Sequence, residues 1–222
     1  MDRNHVRVAT YDVREGLVAQ VAELAQGPGG MLEIYHGLPG FRSYALLEVD
    51  PVTCISVSIW ETHDEAEVAV NEAASWVATH LGSRVERTSN VVGDSIFWDG
   101  VASDLQVGDL DAVTTDKANH VRYASFQVTE GVVAQVAESV MAPGGIREIF
   151  SSQPGFRAYS LIEVDPINFL SITIWDSHEE AEKATSTGAE WVATHLSHRV
   201  HRTVNFVGDA LFWAGIGGLP TA

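Results

Sequence analysis

The sequence contains one long pattern twice, and this repeat limits the folds that the chain can adopt. Shifting the chain by 115 positions, from Val6 to Val121, aligns Val6–Gly100 with Val121–Gly215 without a gap. Roughly half of the aligned residues are identical, and the shared blocks PGFR, EVDP, WVATHL and VGD are spread over each copy. A complete structural unit has therefore been duplicated. We predict one domain over residues 1–100 and a second over residues 121–216.

The segment between the copies differs from both of them. Residues 101–120 are polar and acidic, and nothing equivalent follows the second copy. We predict that this segment is a linker, which at about 3.3 Å per residue can reach across a small domain. Residues 217–222 are predicted to be a C-terminal tail.

Composition excludes several classes of protein. The formal net charge of −17 repels phosphate backbones, and no stretch clusters Arg or Lys, so nucleic acid is not an expected partner. The single cysteine, Cys54, aligns with Phe169, which indicates a packing role. The start of the chain lacks the apolar run of a signal peptide, and no segment has the length of a membrane span. We therefore expect a cytoplasmic protein without a membrane partner.

Periodicity within each copy predicts strand, helix, strand, strand, helix and strand. The segments VRVATYDV, GFRSYALLEVDP and TCISVSIW alternate or are rich in β-formers, whereas EGLVAQVAELAQ has a helical apolar stripe that GPGG ends. A short helical stretch, MLEIYHG, is predicted after that break.

The second helix of each copy begins with a capping box. Thr62 and Ser177 each precede a Glu by three positions, Glu65 and Glu180, at the head of an alanine-rich run. The HxxxE spacing that follows could suggest a metal site, but the sequence offers no third ligand, so we predict no bound metal.

These motifs resemble the antibiotic biosynthesis monooxygenase family. The resemblance rests on PGFRSY at the second strand, SIWET at the end of the third and EAE opening the second helix, and it covers both copies. It implies an α+β fold in which two ferredoxin-like βαββαβ units pack sheet against sheet as a dimeric α+β barrel. Since one chain contains both units, we expect an intramolecular pseudo-dimer, which could assemble further into a homo-oligomer.

The family resemblance implies several chemistries. Members oxidise aromatic polyketides without metal or flavin, degrade haem, or only bind ligands. The function therefore has to be inferred from the residues of the site. We expect a monooxygenase that acts on a small aromatic, quinol or polyketide-like molecule without a cofactor. The alternative is a non-catalytic small-molecule-binding or accessory protein of the same fold.

Candidate site residues come from the second helix, the second and fourth strands and the end of the third strand. The candidate catalytic residues are His80, His195, Asn90 and Asn205. The candidate substrate-binding residues are Trp76, Trp191, Arg87, Arg202, Tyr44, Tyr159, Trp60 and Trp175. The histidines could act as bases towards a phenol, and Asn or Arg could stabilise an anion. The competing interpretation is that each Trp fills the core and each His covers it.

Haem binding or degradation is the lesser alternative. Haem-degrading relatives use an Asn on the first strand, an aromatic residue early in the second helix and a His near the end of that helix. His80 and His195 match only the last of these, because the first strands contain no Asn and Ala69 and Ala184 stand in the early helix.

Overall fold

The computed structural model describes residues 4–100, 113–114 and 119–215. Most of the predicted linker 101–120 and all of the predicted tail 217–222 lie outside the described residues. None of the described helices has the length and hydropathy needed to span a lipid bilayer.

Both copies fold in the predicted order of elements, including the short helix after the first. The first copy comprises β1 (His5–Val13), α1 (Val18–Gln26), α2 (Met31–His36), β2 (Phe41–Asp50), β3 (Thr53–Trp60), α3 (His63–His80), a 3₁₀ turn (Gly82–Arg84) and β4 (Val85–Gly100). A two-residue strand, β5 (Val113–Thr114), precedes the second copy. The second copy comprises β6 (His120–Val128), α4 (Val133–Met141), α5 (Ile146–Ser151), β7 (Phe156–Asp165), β8 (Asn168–Trp175), α6 (His178–His195) and β9 (Val200–Ala214).

The caps predicted for α3 and α6 are present. At α3 the Thr62 hydroxyl oxygen accepts from the Glu65 backbone N–H at 3.3 Å, and Glu65 Oε2 accepts from the Thr62 backbone N–H at 3.0 Å. At α6 the Ser177 oxygen accepts from the Glu180 N–H at 3.3 Å, and the Ser177 hydroxyl donates to the Glu180 carboxylate at 2.9 Å. Each helix therefore begins where its first orphaned N–H groups find an acceptor.

We expect Thr62→Ala to lower the free energy of unfolding by about 1 kcal/mol, because the substitution removes the cap oxygen. Urea denaturation measures this change. Thr62→Ser is the matched control, since it keeps the oxygen and its free energy of unfolding should fall much less. Equal losses in both variants would show that the methyl group, and not the cap, stabilises this end of the helix.

The strands are antiparallel and form one hydrogen-bonded series. Its order is β2-β3-β1-β4-β7-β8-β6-β9-β5, and β2 also pairs with β9, so the series returns to its first strand. Within it β3 lies between β1 and β2, with Val57 opposite Val8 and Ala45. The predicted α+β class, with helices and a closed series of antiparallel strands, is confirmed.

Each of two compact units is built from both copies of the sequence. Among the described residues, the first unit comprises 4–92, 113–114 and 208–215, and the second comprises 93–100 and 119–207. The end of β4, from Asp94 to Gly100, pairs with β7 in the second unit, and the end of β9, from Asp209 to Ala214, pairs with β2 in the first. We call these two segments the exchanged strand ends. The sequence repeat alone does not reveal this exchange.

A tryptophan at the end of the third strand of each copy anchors the core between helices and sheet. In the first unit Trp60 is fully buried, and its ring lies 5.2 Å from that of Tyr35 and 5.3 Å from that of Phe41. In the second unit Trp175 is fully buried, and the centroid of its ring lies 5.8 Å from that of Phe150. The indole N–H groups of both tryptophans donate within their own strands, Trp60 to the Ser58 hydroxyl and Trp175 to that of Thr173. These contacts identify both as packing residues.

Candidate functional site

The two candidate catalytic histidines lie at the exposed ends of α3 and α6. The ring of His80 stacks on that of Trp76 with centroids 5.0 Å apart, and His195 stacks on Trp191 at 4.9 Å. Each Nδ1 lies within hydrogen-bonding distance of the carbonyl oxygen of its tryptophan, at 3.0 Å and 2.9 Å. Since a carbonyl only accepts, Nδ1 carries the proton and Nε2 keeps the basic lone pair. The histidines thus cover the tryptophans from outside.

Each unit contains a small cavity between its helices and its sheet. The cavity of the first unit measures about 20 Å³ and is lined by Trp76 and Tyr44, and that of the second measures about 30 Å³ and is lined by Trp191 and Tyr159. A space of this size holds one or two water molecules. The structure therefore brings the predicted Trp and Tyr candidates of each copy together, but around a space smaller than an aromatic ring.

A buried arginine, which the sequence analysis missed, lies beside the cavity in each unit. Arg7 on β1 is fully buried, and Arg122 on β6 is 2 % exposed. Arg122 lines the larger cavity directly. Neither guanidinium forms an ion pair with a carboxylate of the described residues, so each is a charge in a largely apolar interior. The available signal was an Arg flanked by apolar residues in the first strand of both copies.

In the first unit the arginine is well provided with acceptors. Arg7 Nη1 donates to the Tyr35 hydroxyl at 3.1 Å and to the Ser56 hydroxyl at 3.3 Å, and Nη2 donates to the Tyr11 hydroxyl at 3.2 Å. Burial alone lowers the pKa of Arg7, but the phenol oxygens of Tyr35, Tyr11 and Tyr44 outweigh it, and the pKa is raised.

In the second unit two of those acceptors are missing. Phe126 and Phe150 occupy the positions of Tyr11 and Tyr35, so the one hydroxyl bonded to Arg122 among the described residues is that of Ser171, at 3.2 Å. Burial, helped by the charge of nearby Arg202, lowers the pKa of Arg122 to about 10. The group is still a cation at neutral pH, and its charge is poorly compensated.

The phenol of Tyr159 does not balance this charge. Burial raises the pKa of Tyr159 to about 12, so its hydroxyl is neutral at neutral pH. Ser171 and Arg122 nearby oppose this rise in pKa only in part. The second cavity therefore contains a cation and neutral dipoles.

The indole N–H groups show the same difference between the units. Trp76 Nε1 donates to the Gly29 carbonyl at 3.0 Å. Trp191 Nε1 is buried and has no hydrogen-bond partner among the described residues, whereas the Nε atom of the buried arginine lacks a partner there in both units. The unsatisfied indole N–H of Trp191 therefore distinguishes the second unit, and an unsatisfied buried donor is rare and indicates a missing acceptor.

The fourth-strand candidates lie elsewhere. Arg87 and Arg202 are exposed, and neither lines a cavity. Asn90 and Asn205 are half-buried, and the Oδ1 atom of each is buried without a hydrogen-bond partner among the described residues. The structure thus does not bring the asparagines to the tryptophan and tyrosine candidates.

A histidine pair at the start of α3 and of α6 bears on metal binding. His63 lies beside His5 with ring centroids 6.1 Å apart, and ligand nitrogens of the two lie within 4.8 Å. His63 Nε2 is 3.8 Å from Glu67 Oε1. The second copy repeats the pair as His120 and His178. Two imidazoles at this spacing can share a transition-metal ion, and the sequence analysis missed the strand histidine of each pair.

The residues at the cavities do not fit a haem. No histidine of the described residues lines either cavity, and a ligand pocket for a molecule of that size measures several hundred Å³. A wider surface groove of the first unit, about 370 Å³, includes the exposed His36, but Glu33 beside it would repel the propionate groups of a haem. The described residues around these cavities and this groove therefore do not form a haem site.

Comparison with known proteins gives the fold its context. No protein-family model matches the chain, and no curated protein matches it. Among solved structures, a predicted monooxygenase from Fusobacterium nucleatum subsp. nucleatum is 12 % identical with a TM-score of 0.65, covering 98 % of this chain and 96 % of that one. An anthrone oxidase-like protein is 15 % identical with a TM-score of 0.55 and the same two coverages. A chlorite dismutase from Candidatus Nitrospira defluvii is 13 % identical with a TM-score of 0.58, covering 93 % and 90 %. This chain thus shares its fold with these monooxygenase-like and chlorite dismutase-like proteins.

Proposed function

We propose that the protein belongs with the antibiotic biosynthesis monooxygenases and oxygenates a small aromatic hydroxyl compound without a cofactor, in its second unit. The observation that supports this most directly is the poorly compensated Arg122 cation at a cavity walled by aromatic rings. A buried cation lowers the pKa of a phenol or enol bound beside it, because it stabilises the anion more than the neutral form. Anion formation is the step that makes such a ring reactive towards dioxygen.

Substrate entry requires a larger space than the cavity of about 30 Å³. We assign this opening to Trp191, whose indole N–H has no partner to hold it, whereas the N–H of Trp76 is bonded to a carbonyl. His195 stacks on the outer face of the Trp191 ring. A displaced indole would bring the Nε2 lone pair of His195 to the mouth of the enlarged pocket, where it can accept the substrate proton.

The reaction then balances with dioxygen as the single oxidant. With an anthrone as the substrate, His195 removes one proton from the ring CH₂ group, and Arg122 stabilises the resulting enolate oxygen. The anion transfers one electron to dioxygen, and the two radicals combine to form a carbon–oxygen bond. The peroxide regains a proton, loses the second hydrogen from the same carbon and expels water. A CH₂ group thus becomes a carbonyl, with one oxygen atom retained and the other released as water.

The test is oxygen uptake with a hydroxylated anthrone under aerobic conditions. We expect His195→Ala to reduce the rate at least tenfold, since a general base contributes about 10²–10⁴-fold. His201→Ala is the control, because His201 is another exposed histidine of the same unit, whereas the histidine that stacks on Trp191 is His195. An unchanged rate in His195→Ala would remove the histidine from the mechanism, and no uptake by the unaltered protein with any hydroxyanthrone or dihydroxynaphthalene would contradict the proposal.

The first unit is better explained as a non-catalytic copy. Both terminal nitrogens of its arginine donate to hydroxyls, three in all, its tryptophan N–H is bonded and its cavity measures only about 20 Å³. These contacts favour a packed structural role for that half, which is the accessory function considered for the whole chain.

A further inference from the structure

The hydrogen-bond donors at the cavity of the second unit indicate what kind of group can occupy it. Among the described residues Trp191 Nε1 has no acceptor and the Arg122 guanidinium has one hydroxyl acceptor, against three for Arg7, and both residues line the cavity. Arg122 is 2 % exposed and Trp191 is 6 % exposed, so bulk water does not satisfy them. Both groups only donate hydrogen bonds, and one of them is positively charged. The missing acceptor is therefore expected to be negative.

The size of the cavity restricts that acceptor. A space of about 30 Å³ accommodates a group of one to three atoms, while the ring walls of Phe126, Phe150 and Tyr159 exclude a hydrated divalent ion. We propose that the second unit contains a selective site for one small monovalent anion, held between the Arg122 guanidinium and the Trp191 indole N–H. This inference rests on the proposed function to the extent that the bound anion stands where the ionised oxygen of the substrate would lie.

In the first unit, protein hydroxyl groups occupy the place that the anion would take in the second. The hydroxyls of Tyr11 and Tyr35 lie on the arginine there, where the second unit has Phe126 and Phe150. The loss of two hydroxyl groups thus distinguishes an anion site from a filled one. Gly188, at the position of Ala73, adds space, because a Cβ atom there would lie 3.4 Å from Arg122 Nη2.

The probe is sodium azide, a linear monovalent anion, titrated at constant ionic strength and followed by calorimetry and by the melting temperature. We expect one equivalent to bind per chain and to raise the melting temperature by several degrees. Phe126→Tyr/Phe150→Tyr should reduce the affinity at least tenfold, because the restored phenols supply the acceptors and fill the space.

The reverse exchange is the matched control. Tyr11→Phe/Tyr35→Phe should add a second, weaker equivalent, because Arg7 is then released while the N–H of Trp76 stays bonded to Gly29. Circular dichroism of each variant establishes that it is folded. Absence of azide binding to the unaltered protein, or equal affinity after the Phe→Tyr exchange, would overturn the proposal.

The azide result is separable from the proposed oxygenase activity. Binding of one azide without any oxygen uptake supports the anion site and contradicts the reaction. Oxygen uptake without azide binding contradicts the anion site and leaves the reaction supported. Sodium bromide as a second probe distinguishes recognition of negative charge from recognition of the azide shape, and we expect it to compete with azide.

Discussion

Replacing Arg122 with methionine is expected to raise the melting temperature of the protein, whereas the same substitution at Arg7 should lower it. Arg122 has one hydroxyl acceptor, and its charge is desolvated, so an apolar side chain of similar volume should stabilise the fold by about 1–2 kcal/mol. Arg7 donates to three hydroxyls, and its removal leaves buried oxygens without their donor, at about 2–4 kcal/mol in total.

Thermal unfolding measured by calorimetry distinguishes the two outcomes, since 1 kcal/mol corresponds to about 2–4 °C in a chain of this size. Arg7→Lys and Arg122→Lys are the controls, because they keep a positive charge but lose the planar fork. A lower melting temperature for Arg122→Met would mean that the packing of its methylene groups outweighs the burial of its charge. It would also remove the main physical reason to expect an anion there.

Phe212→Ala is expected to destabilise the first unit by about 3–5 kcal/mol, although residue 212 belongs to the second copy of the sequence. Phe212 is fully buried in the core of the first unit, and its ring lies edge-on to that of Tyr44 with centroids 5.2 Å apart. Hydrogen exchange should therefore accelerate in α1 and β2, which lie far from residue 212 in the sequence.

The equivalent residue in the other exchanged strand end provides the control. Phe97 is only half-buried, packs edge-on to Tyr159 at 5.0 Å and has the Arg147 guanidinium 5.1 Å from its ring centroid. Phe97→Ala should lower the free energy of unfolding less than Phe212→Ala does. It should accelerate hydrogen exchange in β7 and not in β2. If exchange after Phe212→Ala rose mainly in the elements of residues 119–207, the assignment of β9 to the first unit would be wrong.

The repeat and the periodicity predicted the elements because both are local signals. Thr62 and Ser177 fixed the starts of α3 and α6, and the alternation in TCISVSIW fixed the face that Ile55, Val57 and Ile59 share. The α+β class was implied by the family resemblance that the motifs in these elements carry. Local signals cannot decide which sheet receives the end of a long strand, so the exchange of β4 and β9 was not foreseen.

The candidate site was predicted less well, because helical spacing does not decide which way a side chain faces and because buried arginines are rare. Helical spacing placed His80 one turn from Trp76, but an i,i+4 pair can face the cavity or cover the tryptophan from outside, and the stacked ring adopts the second arrangement. Arg7 and Arg122 were overlooked because an arginine is rarely fully buried. Their difference depends on Tyr35 and Phe150, which are 28 positions further along the chain, so contact could not be inferred from the sequence alone.

The exchanged strand ends also have a consequence during translation. The first unit needs residues 209–214 to pair with β2, and the ribosome reaches them only after it has made nearly the whole second copy. At about 5–20 residues per second, the nascent first unit lacks one strand for about 6–23 s. During that interval its edge at Tyr44–Glu48 presents unpaired backbone groups to any other nascent chain, so slow codons in the second copy should increase misassembly and faster ones should reduce it.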